Sequence, residues 1–313
     1  MDTKSLSSQQ IKSWAAEVGF QDCGIARARV LVEAEEDFRH SIDGGLHAEM
    51  HYLERNIDNR FNPESLLPNC KSVVVVTYNY LTEAKPKSDC YRTARYTWIQ
   101  DYHILVKNLL EQLADKVLEV CPAAKIRATV DSSAISEKRW AMEAGVGYMG
   151  KNGLIHNQHG SFFVIGILLM DQFCDKYDES LRKSDCGSCD ICVKSCPVNA
   201  LETPFQVDAR RCVSYHNTED KQPNYKELAD NKYVFGCDIC QEVCPRNKKK
   251  NPNPLNISKN SLFLPLENDE LESLSETDFK HYFSETSILR RKYERFRSLI
   301  EAKRSRFRDE NQE

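Results

Sequence analysis

Apolar and polar positions divide the first 170 residues into segments of two periods. SQQIKSWAAEVGF places Ile11, Trp14, Ala15 and Val18 at helical spacing and stops at Gly19, a favourable C-terminal cap, which predicts an amphipathic helix. KSVVVVTYNYL, from Lys71 to Leu81, is β-branched and aromatic throughout and predicts a strand buried on both faces. From Tyr102 to Val120 the apolar positions Leu105, Val106, Leu109, Leu110, Leu113 and Val117 predict a long one-sided helix. KIRATV, from Lys125 to Val130, predicts a short strand that delivers Asp131 at its end. SEKRWAMEA, from Ser136 to Ala144, predicts a helix, and Phe162 to Met170 another buried strand. Strands alternating with helices imply an α/β layer arrangement with chemistry in the loops after strands, Asp131 among them.

Composition narrows the function class. The chain has 313 residues, 43 basic against 47 acidic, and 41% hydrophobic content, enough for about two domains. The longest apolar run, FFVIGILLM, is nine residues, against about 20 needed to span a bilayer, so no membrane segment is expected. The start MDTKSLSSQQIKSW lacks the pattern of a secretory signal, and a cytoplasmic protein is expected. In a reducing compartment, 13 cysteines point to metal or catalytic use rather than disulfides. Four of them (Cys23, Cys70, Cys90, Cys121) are scattered through residues 1–173, and nine fall between Cys174 and Cys244.

Two motifs of the body carry little. Gly145, Gly147 and Gly150 spell GxGxxG, and Gly145 to Lys151 also spells GxxxxGK. Phosphate binding needs a strand before such a loop and a helix after it, whereas the preceding segment reads as helical and Asn152 stands where a hydroxyl should bind magnesium. His47 and His51 lie four apart, as zinc ligands on a helix would, but Glu49 is misplaced for a metalloprotease base, and a solvated helix face is expected.

The cysteine-dense module is specific. Cys186, Cys189, Cys192 and Cys196 followed by Pro197 form C-x2-C-x2-C-x3-C-P, the iron–sulfur run whose fourth thiolate crosses to a second cluster. Cys237, Cys240 and Cys244 followed by Pro245 form the other half, with Cys212 between the runs. The crossing rule assigns Cys186, Cys189, Cys192 and Cys244 to one four-iron cluster, and Cys196, Cys212, Cys237 and Cys240 to the other. Zinc also binds CxxC pairs, but its four-ligand sites do not normally show this run. Cys174 lies outside the pattern and reads, with the four body cysteines, as an ordinary thiol. Two clusters conduct electrons but supply no substrate site, so either the body holds the centre that is reduced or the module serves a partner.

These features together resemble the epoxyqueuosine reductase family over most of the chain. The resemblance is carried by NRFNPESLLPNCKSVV, the DYH at Asp101 to His103, TVDSSAISEKRWA, AGVGYMGKNGLI, GSFF, the cysteine run, RCVSYHN and FGCDICQEVCPRN. It implies cobalamin with its lower base detached in the body, and two 4Fe-4S clusters fed by reduced ferredoxin or flavodoxin. It further implies reduction of the epoxide of a modified guanine at the tRNA wobble position to an alkene, the last step to queuosine. Carried over by motif, Asp131 corresponds to the proton donor. Arg60, Ala94, Asp131, Ile155, Ile165, Val213, Cys237 and Asp238 fall at positions that line the cobalamin. Opening an epoxide leaves an alkoxide that must be protonated, so Asp131 is expected to keep its proton through a raised pKa. A helix N-cap is the competing reading of Asp131 in DSSAISE. SYHNTED at Ser214 to Asp220 departs from the SYxTIE-like form of many members, and the chain resembles the shorter form without a C-terminal helical-repeat domain.

The expected architecture is therefore α/β. A cobalamin-binding domain spans residues 1–173, a bacterial-ferredoxin-like two-cluster domain 174–250, and a short helical basic tail 251–313; a monomer is expected. The tail from Lys280 to Glu313 has ten basic residues against six acidic, with Tyr293, Phe296 and Phe307 interleaved, and Lys248, Lys249 and Lys250 add a second patch. Such charge can hold RNA phosphates; a solvated helix with internal ion pairs is the competing reading. A corrinoid reductase of small molecules, such as a reductive dehalogenase, and a two-cluster electron carrier are the alternative functions. Asp131 in its TVDSS setting favours an enzyme, and the basic tail favours RNA.

Overall fold

The computed structural model describes residues 5–84, 90–224, 228, 231–248, 250–256 and 268–309, the side chains of 305–309 excepted. Lys249 and the side chains of Arg306, Phe307 and Arg308 thus lie outside the described residues. Among the described residues no helix is long and apolar enough to cross a membrane.

The buried runs of the sequence form the centre. Strand β2 (Ser72–Asn79) is buried at every position and lies between β1 (Asp22–Arg27) and β7 (Phe163–Met170); β4 (Ile126–Thr129) pairs on the far side of β7. All three pairings are antiparallel. Alternation along β2 then sorts its side chains: Val74, Val76 and Tyr78 enter one core, Val73 and Val75 the other. Helices α1 (Ser8–Val18) and α4 (Tyr102–Val120) cover the first face through Ile11, Ala15, Val106, Leu110, Leu113 and Val117. Helix α5 (Glu137–Glu143) covers the second face through Trp140, Ala141 and Met142, together with Phe61 at the end of α3 (Ile57–Phe61). Each such large apolar side chain contributes about 1.5–3 kcal/mol when fully buried. Close approach of helix to sheet depends on Gly166, where a Cβ would stand 3.0 Å from Val106 and 3.1 Å from Leu110.

The predicted α/β architecture is present, with α1, α4 and both long strands where the pattern places them. Gly19 ends α1 at φ +113, its N–H reaching the Ala15 and Ala16 carbonyls. Strand β1 was not legible, because an edge strand that begins Asp-Cys-Gly has little apolar run to show. The glycine loop is used for packing. It leads into a hairpin of β5 (Tyr148–Met149) and β6 (Ile155–His156), and a Cβ at Gly145, Gly147 or Gly150 would come within 2.7 Å of Glu179 O, His156 O or the His156 ring.

The module and the tail share a third core. Within the module the helices are single turns or little more, α6 (Ile191–Lys194) and α7 (Val213–Thr218) among them. Strand β3 (Arg92–Thr93) pairs in parallel with β8 (Tyr233–Phe235), and Tyr91, Val213 and Phe235 pack with Phe279, Phe283, Phe296, Leu299 and Ile300. Phe279 centres this cluster, 4.9 Å from Phe283 and 5.0 Å from Phe296 between ring centroids. Tail charge is largely absorbed by structure. Lys303 is fully buried and donates to the Leu228 and Asn231 carbonyls, and Arg291 is 4% exposed. Lys280, Arg297 and Arg304 pair with Glu276, Glu301 and Glu272.

Candidate active site

Strand β4 delivers the chain to Asp131, which turns it sharply at φ +54, a left-handed conformation that a non-glycine residue adopts only when its surroundings hold it there. Ser136, not Asp131, precedes the first turn of α5, so the cap reading of Asp131 does not describe the structure. Its carboxylate turns instead toward the start of α4. Oδ2 accepts from the Tyr102 hydroxyl at 2.8 Å and lies 2.9 Å from His103 Nε2. The opposite ring nitrogen of His103 lies 2.6 Å from Asp101 Oδ1, and Asp101 caps α4 by accepting the His103 N–H. Arg290, brought in by the tail, stands 3.5 Å from Asp101 Oδ2.

This arrangement sets the protonation states. Burial opposes charge on His103, but hydrogen bonds to Asp101 and Asp131 outweigh it and raise the ring's pKa. The hydrogen bond from His103 lowers the pKa of Asp131, against a contribution from burial, and Tyr102 adds to the lowering. The expected direction for Asp131 is thereby reversed: its two donors favour the carboxylate, and the neighbouring imidazole is the group whose proton affinity is raised. A second acid sits behind it. Glu137 accepts the Asp131 backbone N–H at 2.5 Å, and burial pushes its carboxyl up to about 8.

Glu219, just beyond α7, faces the same space. Burial raises its pKa, with Asp131 adding to the rise and Arg290 and Arg291 opposing it. Tyr52 is within electrostatic reach of Glu219, Asp131 and Arg60, and Tyr96 of Asp238, Glu219 and Asp131. Arg60 donates to the Tyr52 carbonyl, while its Nε is buried without a partner. On the module side Ala94 lies against Gly236, and the Arg95 N–H binds Asp238 Oδ2 at 2.7 Å. Asp238 is 1% exposed, and burial lifts its carboxyl to about 7. Val213 lies in the third core beside Cys237, whereas Ile155 is buried in the second core and Ile165 packs against it.

The eight motif thiols lie in two adjoining neighbourhoods. Cys192 and Cys244 are within electrostatic reach of Cys186 and Cys189, and Cys237 of Cys212 and Cys196, while Cys240 is within reach of Cys237, Cys212 and, across the divide, Cys192. Cys189 is exposed. Lys138 links the second set to the acid cluster: its charge is felt by Cys240, Cys212, Glu137 and Asp131, and Nζ donates to Gly153 O at 2.8 Å. Cys23, Cys70 and Cys174 are different in kind, with thiols pushed up by burial to about 12, 11 and 11. In the sequence Tyr102 read as part of the apolar face of the long helix, and Asp101 and His103 only as a motif resemblance. Glu137, Glu219 and Arg290 lay in motif or basic segments, but nothing there tied them to Asp131, because each reaches Asp131 or its partners from a different element.

Comparison with known proteins places this geometry. The family model for "Epoxyqueuosine reductase QueG, DUF1730" matches residues 60–132, and the 4Fe-4S double cluster binding domain matches 185–247. The epoxyqueuosine reductase of Cellulophaga algicola is 33% identical over 298 residues, which is 94% of this chain and 96% of the relative. That of Leadbetterella byssophila is 35% identical, covering 92% and 95%. The solved structure of epoxyqueuosine reductase from Streptococcus thermophilus superposes with a TM-score of 0.85 at 25% identity, covering 97% of this chain and 82% of that one. An epoxyqueuosine reductase solved with an epoxyqueuosine-modified tRNA-Tyr stem loop superposes at 0.83 and 25% identity, covering 96% and 81%.

Proposed function

The chain belongs to the epoxyqueuosine reductase family, and on that premise we propose that it reduces epoxyqueuosine in tRNA to queuosine, with two 4Fe-4S clusters in the module, cobalamin in the body, and the Asp131–His103 pair as the source of protons. The observation that supports this reading is the position of α5: Glu137 accepts the Asp131 N–H, and the next residue, Lys138, is within electrostatic reach of Cys212 and Cys240. Electron delivery and proton delivery would then meet at one place.

Turning an epoxide into an alkene with loss of water takes two electrons and two protons. The clusters would be held by Cys186, Cys189, Cys192 and Cys244, and by Cys196, Cys212, Cys237 and Cys240, in agreement with the two thiol neighbourhoods. The exposure of Cys189 supports the first set as the place where a reduced ferredoxin or flavodoxin delivers electrons. Cobalamin would lie among Arg60, Ala94, Ile155, Ile165, Val213, Cys237 and Asp238. The unpartnered, buried Arg60 Nε beside Tyr52 fits a polar side group of such a ligand. When bound, cobalamin supplies a strongly reducing metal centre for attack on the epoxide. His103 holds one proton against Asp131 Oδ2, and Asp131, reached from both donors, passes it to the oxygen of the opened ring. Glu137, whose carboxyl burial lifts to about 8, would keep a second proton beside Asp131, whose N–H it accepts.

The test is single-turnover incubation of the reconstituted protein with epoxyqueuosine-containing tRNA and a low-potential reductant, followed by mass analysis of the nucleosides. Queuosine is expected; an unaltered epoxynucleoside with about eight irons per chain and bound cobalamin would refute the reading.

A further inference from the structure

We infer that His47, His51 and Glu54 form a binding site for a divalent metal ion of the zinc class, separate from the thiol sets and independent of the reductase reading. Their spacing predicts a shared helix face for the two histidines, and the structure corrects this. The chain between α2 (Val32–Asp43) and Leu53 runs through turns, with Gly45 at φ +68 and Ala48 at φ +52, and only His51–Leu53 winds into a short 3-10 helix. These turns bring the two rings to 6.3 Å between centroids, nearly perpendicular at 73°.

His47 Nε2, His51 Nδ1 and a Glu54 carboxylate oxygen all lie within 4.8 Å of one another. Both nitrogens converge on the same oxygen, at 2.7 and 2.8 Å. The His47 ring is 10% exposed, so its aim is fixed by packing, and its Nδ1 is buried without a partner. His51 and Glu54 are open to solvent, which leaves a path for an ion. On the outer side His51 Nε2 meets Glu49 Oε2 at 3.0 Å, the carboxylate–histidine support that orients metal-ligating imidazoles. Both His51 nitrogens face carboxylate oxygens. With an ion at the centre, Nδ1 would serve as the ligand atom and Nε2 would be left to donate to Glu49.

Two imidazoles and one carboxylate suit zinc and similar transition metals rather than magnesium or calcium, which prefer oxygen ligands. Zinc bonds of about 2.0–2.2 Å at tetrahedral angles separate ligand atoms by about 3.3 Å. The present 2.7–2.8 Å contacts would therefore open by about half an ångström, within reach of the exposed His51 and Glu54 side chains. Three protein ligands leave one position for water or a substrate oxygen. The ion would clamp the loop that carries Tyr52 toward Asp131 and Glu219.

Equilibrium dialysis of the cluster-loaded protein against Zn2+, with zinc and iron counted by plasma mass spectrometry, tests the site while the module thiols are occupied. One zinc per chain beyond the iron is expected, with affinity falling at least about tenfold in His51→Ala and in Glu54→Gln at unchanged iron content. Zinc should also slow tryptic cleavage after Arg55 in the parent and not in either variant. No uptake by the parent, or equal uptake and equal protection in both variants, overturns the assignment.

Discussion

Replacing His103 with Gln tests the protonation scheme directly. The ring is 11% exposed and lies between Asp101 at 2.6 Å and Asp131 at 2.9 Å. Gln can still donate to Asp131 but cannot carry a proton. A hydrogen bond to a charged group is worth about 1.5–3 kcal/mol when sheltered. The Asp131 side chain is 55% exposed, however, so solvent screening reduces the loss to about 1 kcal/mol. At about 1.36 kcal/mol per unit that moves Asp131 by less than about one pH unit, leaving it ionised at neutral pH. The variant therefore loses the stored proton without gaining one on the carboxylate, and turnover at pH 7 should fall by about 10²–10⁴. In the parent protein the rate should decline as pH rises through the raised pKa of His103. In the variant that decline should shift to the acid side, toward the ordinary carboxylate range. The assay is single-turnover conversion of epoxyqueuosine in tRNA between pH 5 and 9, with tRNA affinity measured in parallel. An unchanged rate and an unchanged alkaline limb would refute the reasoning.

Other consequences are equally accessible. Asp131→Asn should retain its iron and cobalamin and lose turnover at every pH, with full activity counting against any proton transfer through this side chain. Acid unfolding followed by circular dichroism should show stability lost as pH falls through the lowered pKa values of Asp101 and Asp131, the loss beginning in the ordinary carboxylate range and completing below it. The His103 contribution has the opposite sign: it is complete below the free imidazole pKa and disappears as pH rises through the raised one, so His103→Gln should flatten both limbs. At Gly24 a Cβ would stand 1.9 Å from the Ala144 carbonyl, which forces the sheet away from α5; Gly24→Ala should cost about 1–3 kcal/mol or more in urea denaturation, and parent-like stability would contradict the close approach. Arg290→Ala with Lys292→Ala should weaken tRNA binding and reduce its salt dependence by about 0.7–0.9 in log-log slope for each phosphate that is no longer neutralised; equal binding at all salt concentrations would remove the tail from the RNA surface.

Legibility followed the range of each interaction. Long buried strands and α4 were readable because their apolar periods repeat over eight or more residues, and the double-cluster module because cysteine spacing is local to each run. His47 and His51 were misread as a helix face, since the same spacing of four arises in a turn when Gly45 and Ala48 adopt positive φ. The basic tail was overcounted as RNA-binding charge, because nothing local distinguishes Lys303, which is fully buried, or Arg291, at 4% exposure, from exposed Lys292. Asp131 was singled out, but the direction expected for its pKa was reversed. That direction depends on Tyr102 and His103, some 28 residues earlier in the chain, which no pattern around TVDSS reports.

By itself the sequence determined the layered α/β architecture, the double-cluster module and an acid worth examining. Each of these rests on periodicity, spacing or residue type. Tertiary structure alone decided which charges are spent inside the fold, that the tail shares a core with the module, and that the pKa of His103 is raised while that of Asp131 is lowered. Burial, hydrogen bonds and neighbouring charges are sums over segments distant in the chain, and only folding brings those segments within reach of one another.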